Sequence, residues 1–368
     1  MTHYYDEKRQ KEIVENLSRE KLLVESELYK REELPAYQDF ANALLCTVST
    51  SGNYVAPLDI SNLASYLRNW AQNLGLEDDH DINYIVRQVE RLDRKIYGLK
   101  RGMEGEMIAK RAMFGIDAPS RILTNMEFIM DDLVFETDAI VINSKGICVV
   151  EVKNIHRNLI IDEHGTLMAA DGSGRTYCNV KTQLNNAAAV IRRILEQSFL
   201  DSPKLMALAS RIQVVLFSAD GSIIDSRQEI TIADRNKIAS ILNNSPCEET
   251  LSREEINAIA KALENAAQIS RYPVNYDYVR VAQAFATAIA KLEYAVEHNP
   301  ASSFWKSSCD SGNHTEDIDV SDDETTDTEE DFHTFEQQKK WNCGQIAAVA
   351  AVAGIAVLGV GLLLYSTV

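Results

Sequence analysis

Basic residues are in deficit: 37 Lys and Arg stand against 55 Asp and Glu, a formal net charge of −18. Spread evenly, that charge would argue against a polyanionic partner. It is not spread evenly, because ten acids lie between Glu316 and Asp331 with no Lys or Arg among them. The remaining chain is only mildly acidic, so nucleic acid stays open as a partner, without a general basic footprint to recommend it. Cysteine is sparse and scattered (Cys46, Cys148, Cys178, Cys247, Cys309 and Cys343), with no CxxC pair and no Cys/His ligand spacing. A disulfide framework and a zinc finger are thereby disfavoured, and free thiols in a reducing compartment are expected. An apolar stretch is missing from the charged N-terminus MTHYYDEKRQKEIVENL, so no secretory signal peptide is expected.

Glycine is absent from residues 5–35 and proline first appears at Pro35. Ile13, Leu17, Leu22, Leu23 and Leu28 form a loose apolar stripe there, which predicts one long amphipathic helix. Further helices are expected at Leu58–Leu74 and at about Ile82–Leu99. Residues 1–100 thus read as a helical region, with coiled-coil pairing or packing on the next domain as alternatives. The stripe needs a covering surface, and a second copy of the chain would supply one.

From Gly102 the texture changes. A helix around Glu104–Phe114 precedes strands at Leu133–Ile142, Gly146–Lys153 and Leu159–Asp162. A helix at about Val180–Gln197 follows, then strands at Arg211–Phe217 and Glu229–Ala233, and a helix at Asp234–Leu242. That order predicts an α/β domain with a mixed sheet over residues 101–245. Residues 246–299 read as a helical extension of two helices, Ser252–Ala267, opened by a Ser252/Glu255 capping box, and Asp277–His298. Residues 300–340 are too polar and acidic to form a core and read as a disordered linker. Residues 346–365, IAAVAAVAGIAVLGVGLLLY, carry no charge. As a helix they span roughly 30 Å, enough to cross a bilayer. Lys339 and Lys340 precede this span and no charge follows it, which predicts a single-pass C-terminal anchor with the bulk of the chain cytoplasmic.

The chemistry lies in LVFETDAIVINSKGICVVEVKNIHRN, residues 133–158. Two β-branched strands flank Asn143-Ser144-Lys145-Gly146, a hairpin turn. If Ile142 pairs with Ile147, Asp138 falls opposite Glu151, with Cβ atoms roughly 4.5–5.5 Å apart. Lys153 projects from the same face. Opposed carboxylates repel, and a divalent cation with oxygen ligands relieves that repulsion. The bland alternative is a surface hairpin with a Glu151–Lys153 ion pair. His156 is a weaker candidate for phosphate contact, and Arg175, Lys181, Arg192 and Arg193 form a candidate basic rim.

Asp138 followed by Glu151-Val152-Lys153 after a hairpin resembles the D…(E)xK core of PD-(D/E)xK nucleases. More specifically, the block resembles the nuclease-related (NERD) domain. Gly105-Glu106 matches its opening Gly-Glu, and Gly146, Glu151, Lys153 and Asn154 match its glycine turn and E-x-K-N segment. Asn179 and Gln183 match an Asn…Gln element, and residues 212–223 look like its closing strand. The family commonly has Gly soon after E-x-K-N and Pro after the later Asn. Here Ile155-His156-Arg157-Asn158 and Val180 stand in those places. The resemblance implies a restriction-endonuclease-like mixed sheet flanked by helices. It implies Asp138 and Glu151 as ligands for Mg²⁺ or Mn²⁺, Lys153 as catalytic lysine, Glu106 as support from the first helix, and Gln183 as an orienting group. The function it implies, joined to the C-terminal span, is a membrane-tethered, Mg²⁺-dependent nuclease acting on nucleic acid, DNA above all. The alternative is an inactive, membrane-anchored scaffold that uses the same fold and its helical regions to bind partners.

Overall fold

The computed structural model describes residues 6–19, 27–50, 58–130, 133–225, 227, 229–244, 250–269, 271–273 and 276–298. The acidic linker and the span at 346–365 lie outside the described residues. Among the described residues, no helix is long and apolar enough to cross a membrane.

In chain order the elements are α1 (Glu7–Arg19), β1 (Glu27–Tyr29), α2 (Lys30–Thr50), α3 (Ile60–Asn73), α4 (His80–Ala112), β2 (Ser120–Met130), β3 (Leu133–Asn143) and β4 (Gly146–Asn154). Then come β5 (Leu159–Ile161), β6 (Thr166–Ala169), β7 (Thr176–Asn179), α5 (Val180–Ser198), α6 (Pro203–Ala209), β8 (Gln213–Asp220), β9 (Ile223–Asp225) and β10 (Thr231–Ala233). The last are α7 (Ile238–Asn243), α8 (Arg253–Ala266), β11 (Arg271–Pro273) and α9 (Tyr278–His298).

The chain divides into two units. Among the described residues, one takes those within 6–103 and 271–298, the other those within 104–269. The first is helical. The single helix expected over residues 5–35 is instead α1 and the start of α2, with strand β1 between them pairing antiparallel to β11. Ile13 and Leu17 of α1 are buried in one core with Phe285, Ile289 and Leu292 of α9. These two residues of the apolar stripe are therefore covered within the chain, while Leu22 and Leu23 lie outside the described residues. The expected break near Gly102 is also missing, since α4 continues through it to Ala112. Gly102 is a helical residue with open space around its Cα, and one glycine costs a helix only about 1 kcal/mol.

The second unit is the expected mixed sheet, in the order β10-β8-β4-β3-β2. The β10/β8 and β8/β4 pairs are parallel, and β4/β3 and β3/β2 are antiparallel. Alternation along β3 and β4 sends Ile140, Ile142, Ile147 and Val149 to one face, where α5, α6 and α8 cover them. It sends Ala139, Val141, Cys148 and Val150 to the other, under the end of α4 and α7. A second sheet, β7-β6-β5-β9, shares a small core with the start of α5. The 246–299 extension is split: α8 packs on the five-stranded sheet, and α9 belongs to the helical unit. Ser252 and Glu255 do form a capping box at α8.

Candidate metal and phosphate site

The β3–β4 hairpin has the expected register, Ile142 on Ile147 and Asn143 on Gly146. Asn143 closes it, accepting from Lys145 N at 2.8 Å and donating to Leu242 O at 2.9 Å. The ladder runs from the turn only as far as Ala139↔Val150. Beyond that pair the strands fork: β3 goes on with β2, while β4 continues beside β8 through Glu151↔Leu216 and Lys153↔Ser218. The expected direct opposition of Asp138 and Glu151 is thus replaced by a wedge. At its apex the Asp138 carboxylate accepts from Val152 N at 2.7 Å.

Lys153 and Glu151 project from β4 toward α5, and both are largely buried, with side-chain exposures of 17% and 15%. Lys153 Nζ donates to Glu151 Oε1 at 2.9 Å and to Gln183 Oε1 at 3.1 Å. Burial alone would lower the lysine pKa, but the charge of Glu151, followed by Cys178 and Asp138, outweighs it and raises the value. Gln183 sits in the first turn of α5, whose N-cap Asn179 accepts from Thr182 N at 2.8 Å. The Asn…Gln pair thereby acquires a physical meaning: the Asn anchors the helix end that delivers the Gln.

Asp138, Glu151, Lys153 and Gln183 therefore converge, and Glu106 does not join them. Gly105 packs so closely on β4 that a Cβ there would lie 2.6 Å from Asn154 Cβ and 3.4 Å from Val152 Cγ1. Those two side chains lie on the α4 side of β4, opposite to Glu151 and Lys153. Glu106 follows Gly105 on that helix, and no described group of three or more acidic, His or Cys side chains joins it to Asp138 and Glu151. Three of the four basic-rim candidates have partners of their own. Lys181 pairs with Glu229, Arg192 donates to Ala209 O, and Arg175 lies over the Tyr177 ring.

Two features escaped the sequence reading. Asn125 adopts φ +54° inside β2, between the pairs Thr124↔Ala139 and Met126↔Thr137, and so directly across from Asp138. Asn is among the few residues that tolerate this left-handed conformation, yet nothing in its sequence neighbourhood marks it. His156 Nδ1 lies 2.7 Å from Asp220 Oδ2, 64 residues away in sequence, a pairing that only the parallel β4–β8 contact produces.

The donor set at the fork is built on the two carboxylates of Asp138 and Glu151, with the Cys178 thiol close enough to act on Lys153. It suits a hard cation such as Mg²⁺, which takes one or two carboxylates and completes its shell with water and phosphate oxygen. Among the described residues, no group of three or more acidic, His or Cys side chains gathers to form a full protein cage. Residues 101–217 match the family model described as nuclease-related domain. No curated protein matches the chain, and no solved structure does.

Proposed function

Since residues 101–217 form a nuclease-related domain, we propose that the chain is a metal-dependent phosphodiesterase acting on nucleic acid, DNA above all. The observation that carries this reading is the fork, where Asp138, Glu151, Lys153 and Gln183 meet on one face of β4. Asp138 and Glu151 would hold Mg²⁺ or Mn²⁺. The bound ion would supply a water of lowered pKa and a polarised phosphate. Lys153, kept cationic by its carboxylate neighbours, stabilises the charge gained in the transition state. Gln183 fixes the direction of the lysine through its hydrogen bond.

The test uses purified full-length chain, detergent-solubilised, on DNA and RNA panels with Mg²⁺ and then Mn²⁺. Cleavage is expected with metal and none with chelator. Glu151→Gln and Lys153→Ala are each expected to lower the rate by at least about 100-fold, the size of effect seen when a transition-state electrostatic partner is lost, while melting cooperatively. A well-folded wild type that binds neither metal nor cuts any substrate refutes the reading.

The proposed setting is a membrane surface, through the uncharged residues 346–365. The acidic stretch before them would be repelled by anionic headgroups and hold the catalytic unit off the surface. A second reading, an interaction scaffold, draws on the helical unit, which builds its own core. Retention of cellular phenotype by Glu151→Gln would favour the scaffold, and loss would favour the enzyme.

A further inference from the structure

One residue past Lys153, at Asn154, β4 ends and the chain enters a tightly built turn. Arg157 N donates to Ile155 O at 2.8 Å and Leu159 N to Ser222 O at 2.7 Å. Ser222 Oγ donates to Asn158 Oδ1 at 2.8 Å. Gly221, at φ +70°, lies so close that a Cβ would come within 2.2 Å of Arg157 O. The loops after β4 and β8 are therefore clamped together, at the carboxyl ends of two parallel strands. Open α/β sheets bind their ligands at such strand ends.

The clamp holds a His–Asp pair. His156 Nδ1 lies 2.7 Å from Asp220 Oδ2. Asp220 is itself fixed: its Oδ1 accepts from Gly221 N at 2.9 Å, and its carbonyl accepts from Ser218 Oγ at 2.9 Å. Since the carboxylate can only accept, the Nδ1 proton belongs to the histidine, and Nε2 is left as the working nitrogen. The His156 side chain is 84% exposed while Asp220 is 33% exposed, so the ring is presented to solvent on an anchored partner. The register runs Lys153↔Ser218 and then Asn154↔Asp220, which starts the pair one ladder step beyond the lysine.

Phosphodiester hydrolysis expels an alkoxide, which needs a proton. The fork contributes carboxylates for a cation and an ammonium for charge, whereas imidazole is the side chain that ordinarily exchanges a proton near neutral pH. We infer that His156 is the general acid of the cleavage proposed above, an assignment resting on that reading, with Asp220 as its positioning residue. A water oxygen bonds to phosphorus and releases one proton to solvent. The bond from phosphorus to the leaving sugar oxygen breaks. The imidazolium Nε2 proton passes to that oxygen, and solvent reprotonates the ring. Asp220 accepts from Nδ1 and so keeps Nε2 outward.

The experiment compares two oligonucleotides in single-turnover reactions with the full-length chain and Mg²⁺. One is ordinary, and the other carries sulfur in place of the leaving oxygen at the mapped cleavage site. Thiolate leaves without protonation, so the two substrates differ in their need for an acid. His156→Ala is expected to slow the oxygen substrate by about 100-fold, the usual worth of general acid catalysis, and the sulfur substrate by less than about threefold. Asp220→Asn, which keeps a hydrogen bond in the clamp, is expected to show the same selectivity to a smaller degree. It decides the question if His156→Ala fails to fold. Equal losses on both substrates, or an unchanged oxygen rate, overturn the assignment and leave the pair a loop clamp. A wild type that cleaves neither substrate overturns the phosphodiesterase reading and this assignment with it.

Discussion

Glu106 and Asp138 are both acids in the matched region, yet no described group of three or more acidic, His or Cys side chains joins Glu106 to Asp138 and Glu151. Asp138→Asn is therefore expected to weaken Mn²⁺ binding in calorimetry, whereas Glu106→Gln leaves it unchanged; equal losses from both would contradict the placement of Glu106. Asn125 offers a second contrast. A β-branched residue at φ +54° is strained by about 1–2 kcal/mol, and glycine is not. Asn125→Val should lower the urea midpoint and Asn125→Gly should not. Titration gives a third. Burial pushes the Cys148 thiol from its ordinary 9.0 up to about 12, while Cys46 is exposed. Peptide mapping after native alkylation near pH 8 should find Cys46 modified and Cys148 untouched. Because the folded-state pKa of Cys148 lies above the unfolded one, its contribution to stability is complete below about 9 and fades as pH rises toward 12. The raised pKa of Lys153 works in the same direction: its ammonium contributes fully below its ordinary 10.5, and the loss begins only in more alkaline solution.

Among the elements, α5 joins fold and chemistry most directly. Its inner face, with Leu184, Ala187, Ile191 and Leu195, is buried on the sheet, and its first turn delivers Gln183 to Lys153. Asn179→Ala removes the N-cap bond at a cost of about 1 kcal/mol. It should also slow cleavage, because the helix start carries the residue that orients the lysine. At α8, Ser252→Ala should cost a similar stability of about 1 kcal/mol with no change in rate, since that cap faces away from the fork. A rate loss there equal to that of Asn179→Ala would undo the distinction. These helices were legible beforehand because apolar residues recur at helical spacing and capping residues mark their ends. The strand β2 was not read, although it runs from Ser120 to Met130. Its burial alternates poorly, as befits an edge strand with Arg121, Asn125 and Ile129 exposed, and the periodicity on which strand recognition depends is lost.

For the molecule as a whole, the candidate site and the helical core belong to different units. All four converging residues belong to the unit of the β10-β8-β4-β3-β2 sheet, while the aromatic cluster of Tyr37, Phe40, Tyr276 and Tyr278 anchors the helical one. Phe285→Ala, at a fully buried position of that helical core, should destabilise its unit by about 3–5 kcal/mol and leave the Mn²⁺ affinity of the fork intact. The proposed anchor is tested at this scale too. Removing residues 341–368 should move the protein from the membrane fraction to the soluble one without loss of metal binding; a full-length chain found soluble would end that proposal.

Local pattern was enough for the β3–β4 hairpin, its register, the shared face of Glu151 and Lys153, and the mixed sheet. Each depends on a period of two, a turn signal or the order of neighbouring segments, all of which are written along the chain. The fork at Asp138, the exclusion of Glu106, the covering of Ile13 and Leu17 by α9, and the meeting of His156 with Asp220 depend instead on which distant segments become neighbours. Those choices follow from burying whole faces at once, and burial of a face is a property of the folded chain, which no single stretch of residues carries.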